Sequence, residues 1–238
     1  MGRRSTKRQG QANGSIVAFD FDGTLSIRDS FKAFLAWRSG PVRYAAGLLL
    51  LLPACLIYVF TRDRGRLKAA AVRVFLRGLP REKFVAACEE FARSTLGRAF
   101  LRPDAEQCWA EWRAKGARLV IVTASPEELI APFARRLGAD DLIGTRLVYD
   151  ASGRLDGRFD GPNCRAQEKV VRLEAAYGPG VRLAAAYGDS SGDVQMLQIA
   201  EVKGYRVFHG RPSQTLAENG GARRAEFVCT ATDNTRST

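Results

Sequence analysis

An α/β fold on a parallel sheet follows from three features: short apolar runs of β-prone residues, closure of those runs by acidic or hydroxyl residues, and punctuated helical stretches between them. Residues 15–19 (SIVAF) are the first run and end at Asp20. Residues 118–123 (RLVIVT) follow Gly116, and residues 181–187 (VRLAAAY) lead into Gly188-Asp189. A weaker fourth run is 205–209 (YRVFH). Residues 103–115 read as a helix opened by a proline and stopped by Gly116. Ser125 is placed to cap the next helix, with Pro126 in its first turn, Glu127 and Glu128 at the positive end of its dipole, and Gly138 closing it. A further helix over 166–177 stops at Gly178-Pro179, and residues 146–149 and 154–159 flank a turn as a β-hairpin. Residues 30–102 hold helical patterns and no strong strand, which makes them an all-helical insertion after the first strand. The core then comprises 15–29 and 103–212, between a basic tail (1–14) and a polar tail (213–238).

Composition narrows the chemistry. The single histidine, His209, lies near the end of the chain and argues against Ser-His-Asp hydrolysis and histidine-ligated zinc, so catalysis is expected to run on carboxylates, lysine, hydroxyls or thiols. Five scattered cysteines without a C-x-x-C pair argue against a disulfide framework or a cysteine-rich zinc site, and fit a reducing cytoplasm. Only residues 16–19 separate the basic tail from acidic Asp20, too short an apolar stretch for a secretion signal. The net charge of +12 favours anionic partners. It would also permit a non-catalytic protein that binds nucleic acid or anionic membrane. However, the positive residues form no aromatic-interleaved stripe, so no nucleic-acid partner is expected.

Asp20 and Asp22 stand two residues apart where the first strand ends, so both side chains project to one side while Phe19 and Phe21 face the other. Ligand crevices of open α/β sheets lie off these strand ends, and two like charges so close call for a cation or a proton. Thr123 ends the second run, Gly188-Asp189-Ser-Ser-Gly-Asp193 follows the third, and Lys169 lies on the helix before it. Taken singly these are a strand-end hydroxyl, helix caps and a surface lysine. Their joint occurrence at strand ends is what points to a site.

The set resembles the haloacid-dehalogenase superfamily of phosphotransferases over roughly residues 15–210. D-x-D-x-T matches Asp20, Asp22 and Thr24; the apolar strand ending in a hydroxyl matches Thr123; the lysine matches Lys169; and G-D-x-x-x-D matches Gly188, Asp189 and Asp193. The resemblance implies a Rossmann-like core with a helical cap of the phosphoserine-phosphatase-like subfamily (IB, C1-type) inserted after the first strand. It further implies that Asp20 is the nucleophile of an aspartyl-phosphate mechanism, with Asp22 as general acid and base. Magnesium is implied on Asp20, the Asp22 backbone carbonyl and Asp189. Thr123 and Lys169 would hold phosphoryl oxygens, and Asp193 would orient Lys169 or a metal-bound water. One departure is Ala166, where relatives often carry glycine three residues before the lysine.

Residues 44–60 (YAAGLLLLLPACLIYVF) carry no charge, with Arg43 before them and Arg62, Arg64, Arg66 and Lys68 after. A single crossing would strand Asp20 and Thr123 on opposite sides of a bilayer, and the stretch is too short for two. It therefore reads as a buried cap helix or as a proline-bent segment dipping into one leaflet. Five consecutive leucines at 48–52 leave no polar face and favour the second. The expectation is a cytoplasmic phosphatase, peripheral on the inner face of the membrane, acting on a lipid headgroup phosphate such as phosphatidylglycerophosphate. The rival is a soluble phosphoserine phosphatase or another small-molecule phosphatase. Arg73 is similarly placed to the phosphoserine phosphatase's carboxylate-binding arginine, and Asp29 stands where it carries a longer Glu; both are candidate substrate contacts.

Overall fold

The computed structural model describes residues 14–96 and 100–211; the two terminal tails lie almost wholly outside them. Strand β1 (Ile16–Phe19) is followed by α1 (Ser30–Leu50), α2 (Leu52–Thr61), α3 (Arg64–Leu76), α4 (Arg81–Leu96) and α5 (Pro103–Ala114). Then come β2 (Arg118–Pro126), α6 (Glu127–Leu137), β3 (Asp141–Thr145), the hairpin β4 (Leu147–Tyr149) and β5 (Leu155–Phe159), and α7 (Gln167–Tyr177). Strand β6 (Leu183–Gly188), α8 (Val194–Gln198) and β7 (Ala200–Tyr205) are the last elements among the described residues. Five strands form a parallel sheet in the order β3-β2-β1-β6-β7. β1 sits at its centre, so residues just past β1 lie in the crevice off the strand ends.

Side chains along β1 and β2 divide between two cores. Val17, Phe19, Leu119 and Ile121 join a large cluster that continues through Phe21, Phe100 and Phe133 into Phe34, Phe84 and Phe91 of the helices. Ala18, Val120 and Val122 face the other side, onto Leu173 and Met196. Helices α1–α4 thus share one apolar interior with the sheet. The two chain crossings into and out of them are tied together, since Ile27 N–H donates to the Phe100 carbonyl (3.0 Å) and Arg102 N–H to that of Leu25 (2.8 Å).

Several local expectations are corrected. The last parallel strand is β7, which ends at Tyr205, not residues 205–209; Phe208 instead packs its ring against Tyr187 (5.3 Å) and Phe19 (6.4 Å), so its apolarity reflects aromatic packing. Strand β3 was not apparent because Asp141 and Gly144 interrupt the apolar pattern. Asp141 is an edge residue that accepts from Arg118 Nε (2.7 Å) and the Tyr177 hydroxyl (2.6 Å). The hairpin forms as expected but pairs its backbone with the α3–α4 turn, through Gly78 N–H to Leu155 O (2.7 Å) and Leu155 N–H to Leu79 O (2.9 Å). Cys108 is disulfide-bonded where no crosslink was expected, while Cys55, Cys88 and Cys164 are free thiols.

The apolar segment is divided between two helices. Helix α1 breaks at Gly40-Pro41, where Gly40 takes φ 70° and proline cannot continue the hydrogen-bond ladder. α2 leaves α1 at a bend of 53°. One side of this elbow leans on α3: Tyr44 stacks near Phe75 (5.7 Å), and a Cβ on Gly47 would come within 2.2 Å of the Phe75 ring. The other side is bare. Val42, Leu49, Leu50, Leu56 and Phe60 are 80, 66, 70, 64 and 86% exposed, and no residue of α2 is fully buried. The alternative of a buried cap helix is therefore overturned. Among the described residues no single helix is long and apolar enough to cross a membrane.

Candidate active site

Asp20 follows β1 directly, and its N–H is fixed by the Tyr187 carbonyl of the neighbouring strand at 2.9 Å. Gly23 then turns the chain at φ 85°. A Cβ there would lie 2.3 Å from Asp189 Oδ2, so glycine is required both for the turn and for the approach of the β6 loop. A cavity of about 270 Å³ opens at this point. It is lined by Asp20, Asp22, Lys169, Asp189 and Asp193 from the core, and by Arg64 and Lys68 from α3.

Lys169 organises the floor. It is 1% exposed, and its Nζ donates at 2.6 Å each to Asp20 Oδ1, Asp193 Oδ1 and the Val122 carbonyl. Burial alone would lower its pKa, but Asp20 and Asp193 outweigh that and hold the ammonium well above its usual pKa. Ala166 reaches this geometry at φ 55°, the left-handed value a glycine would take more readily, with its N–H bonded to Gly192 O (2.8 Å). Burial raises Asp193, yet Lys169 and the Ser190 N–H and hydroxyl pull it below the ordinary carboxylate range. Asp20 is pushed up to about 8 because burial, Asp193 and Asp22 outweigh Lys169.

Carboxylate oxygens of Asp20, Asp189 and Asp193 lie within 4.8 Å of one another. Asp193 is already committed to Lys169 and Ser190, whereas no side chain among the described residues hydrogen-bonds the carboxylate of Asp189. Burial and Asp193 raise the Asp189 pKa. An all-oxygen set with one half-buried, unpartnered carboxylate fits a hard divalent cation such as magnesium.

Asp22 points elsewhere. Its Oδ1 accepts from Ser30 N–H (2.7 Å), at the start of α1, and its Oδ2 from the Ser125 hydroxyl (2.5 Å). Burial and the charge of Asp29 raise its pKa, against Lys68, Ser125 and Ser30. Ser125 is therefore part of the site and not a helix cap; α6 begins two residues later with no side-chain cap. Pattern reading missed it because Ser-Pro-Glu-Glu is also a helix-start signature.

Thr123 lies within β2, fully buried, and is not among the cavity-lining residues. Its Oγ1 accepts from Ser125 N–H (3.1 Å), which leaves the hydroxyl proton to donate. Asp29 lines the cavity while capping α1 through Lys32 N–H (2.8 Å). Arg73 does not line it; its backbone and stem pack against Gly157 of β5, and Arg64 and Lys68 of the same helix occupy the cavity wall instead.

Residues 17–198 match the haloacid dehalogenase-like hydrolase family. Protein CicA of Caulobacter vibrioides is 59% identical over 201 residues, 83% of this chain and 88% of that protein. A phosphoserine phosphatase of Halobacterium salinarum is 32% identical over 191 residues, 78% of this chain and 82% of that protein. Among solved structures, a protein of unknown function from Bordetella pertussis Tohama I superposes with a TM-score of 0.66 at 27% identity, over 79% of this chain and 87% of its own. A substrate-bound phosphoserine phosphatase shares the fold with a TM-score of 0.58 at 20% identity, over 82 and 87% of the two chains. The chain belongs to the haloacid dehalogenase-like hydrolases and is a phosphatase of their phosphoserine-phosphatase-like branch.

Proposed function

We propose that the protein is a magnesium-dependent phosphomonoester hydrolase that works through an aspartyl-phosphate on Asp20, with a lipid headgroup phosphate such as phosphatidylglycerophosphate as substrate. The observation that carries the chemistry is Lys169 clamped between Asp20 and Asp193 beside the unpartnered Asp189. Asp20, Asp189 and the Asp22 backbone carbonyl would hold magnesium, which when bound neutralises charge on the nucleophile and phosphoryl group. An Asp20 oxygen attacks phosphorus while the ester P–O bond breaks, and Asp22 gives its proton to the leaving alcohol. Asp22, now a carboxylate, takes a proton from water as that water attacks phosphorus. The Asp20–phosphorus bond breaks, and phosphate and the free carboxylate are regenerated. Lys169 and the Thr123 hydroxyl hold phosphoryl oxygens, and Asp193 keeps Lys169 in place.

The exposed elbow of α1 and α2 supports the lipid substrate and a peripheral seat on an anionic bilayer. It ends at Arg62 and Arg64, and Arg64 already belongs to the cavity wall, so the cavity mouth adjoins the apolar surface. The 32% identity to a phosphoserine phosphatase and the place of Asp29 in the cavity support phosphoserine as the second reading. Magnesium-dependent release of phosphate from p-nitrophenyl phosphate, lost in Asp20→Asn, tests the chemistry. Catalytic efficiency on phosphatidylglycerophosphate against phosphoserine decides between substrates.

A further inference from the structure

Two cations of the helical insertion, Arg64 and Lys68, line the cavity. Arg64 and Lys68 are one turn apart on α3 and so share a face. Lys68 is held in place: Nζ donates to the Ala124 carbonyl (3.0 Å), approaches Ser125 Oγ (3.5 Å) and sits over the Phe31 ring (5.4 Å). Ser125 in turn donates to Asp22, the group that protonates the ester oxygen in the reading above. The Lys68 charge is thus set beside the Ser125–Asp22 pair, whereas the floor already has Lys169 surrounded by three oxygens. Arg64 lies one turn nearer the elbow, where its charge lowers the pKa of the Tyr58 hydroxyl. Among the described residues neither cation forms an ion pair with a carboxylate.

We propose that Arg64 and Lys68 form a receptor for a second anionic group on the alcohol side, so that the protein selects phosphomonoesters whose alcohol also carries a phosphodiester or a carboxylate. This rests on Asp22 as the leaving-group acid. Cations in a half-enclosed cavity act on a ligand charge through less water than at a free surface. A guanidinium fork matches the two oxygens of either anion. Asp29, which also lines the cavity, accepts a backbone N–H at the α1 cap, and two cations stand against it.

The test uses two pairs of soluble substrates without acyl chains. Glycerophosphoglycerol phosphate is compared with glycerol 3-phosphate, and phosphoserine with phosphoethanolamine. The wild type should prefer the second-anion member of at least one pair by about tenfold in kcat/KM, and that pair identifies the anion. Lys68→Met and Arg64→Met should each shrink this preference to about threefold or less, mainly through KM, and Lys68→Arg should restore it. No preference in either pair, or variants that slow both members equally, would overturn the inference. Calorimetric binding to the Asp20→Asn protein separates it from the catalytic reading. Tighter binding of the second-anion member, lost with Lys68→Met, upholds the receptor without any turnover, and equal binding of both members overturns it.

Discussion

Lys169 holds Asp20 and Asp193 together from a position closed to solvent, with Nζ 2.6 Å from Oδ1 of each. Removing the ammonium would leave two buried carboxylates facing one another, so its loss should be felt in stability as well as rate. Lys169→Met is expected to cost about 3–5 kcal/mol in chemical denaturation and to lower kcat by about 10²–10³. Asp193→Asn, which keeps the cation and one carboxylate, should be milder on both counts.

The two aspartates of the first turn should separate by role. Asp20→Asn should fold and show no turnover above background. Asp22→Asn should retain a slow reaction, with kcat reduced by about 10²–10⁴. Acid-quenched labelling with ³²P-phosphate substrate should mark the wild type and Asp22→Asn but not Asp20→Asn; label on the last would refute Asp20 as nucleophile.

Gly23 reports on the metal pocket. Gly23→Ala introduces a Cβ 2.3 Å from Asp189 Oδ2 at a backbone φ of 85°, so Asp189 must move. The magnesium concentration for half-maximal activity should rise by about 10–100-fold, while Gly138→Ala, at a helix end with open space around it, leaves it unchanged.

The bare side of the elbow should matter for lipid and not for folding. Replacing Leu49, Leu56 and Phe60 by serine removes side chains that are 66, 64 and 86% exposed. Sedimentation with phosphatidylglycerol vesicles should fall several-fold, in keeping with lost interfacial burial, while thermal stability stays within about 3 °C. Undiminished sedimentation would sink the bilayer seat.

Acid should weaken the sheet edge through Asp141. Burial opposes its ionisation, but Arg118 and Tyr177 more than offset that and hold its carboxyl below the usual range. The folded state therefore keeps the carboxylate charged to lower pH than the unfolded chain does. The stabilisation is complete above the unfolded value near 4 and is lost as pH falls through the lower folded value. The Tm gap between wild type and Asp141→Asn should be constant near pH 7 and close below about pH 4.

The candidate site was legible in the linear chain because the ends of parallel strands fix where such residues gather. Asp20 and Asp22 two apart, Lys169 on the preceding helix and the Asp189–Asp193 loop are local features, and the parallel topology that collects them follows from strand–helix alternation. Ser125, Arg64, Lys68 and the displacement of Arg73 were not legible. Ser125 depends on β2 ending beside Asp22 and the start of α1, and the other three on how α3 is seated, which its buried Ala71, Val72 and Leu76 fix against elements far apart in sequence. Residues 44–60 show both sides of this. Their apolarity was plain from the sequence, but only the bend at Leu51 and the single supporting face on α3 decided that most of it stays in the open. An element's own sequence determines its periodicity, whereas which of its faces is covered depends on neighbours that the chain brings up only after folding.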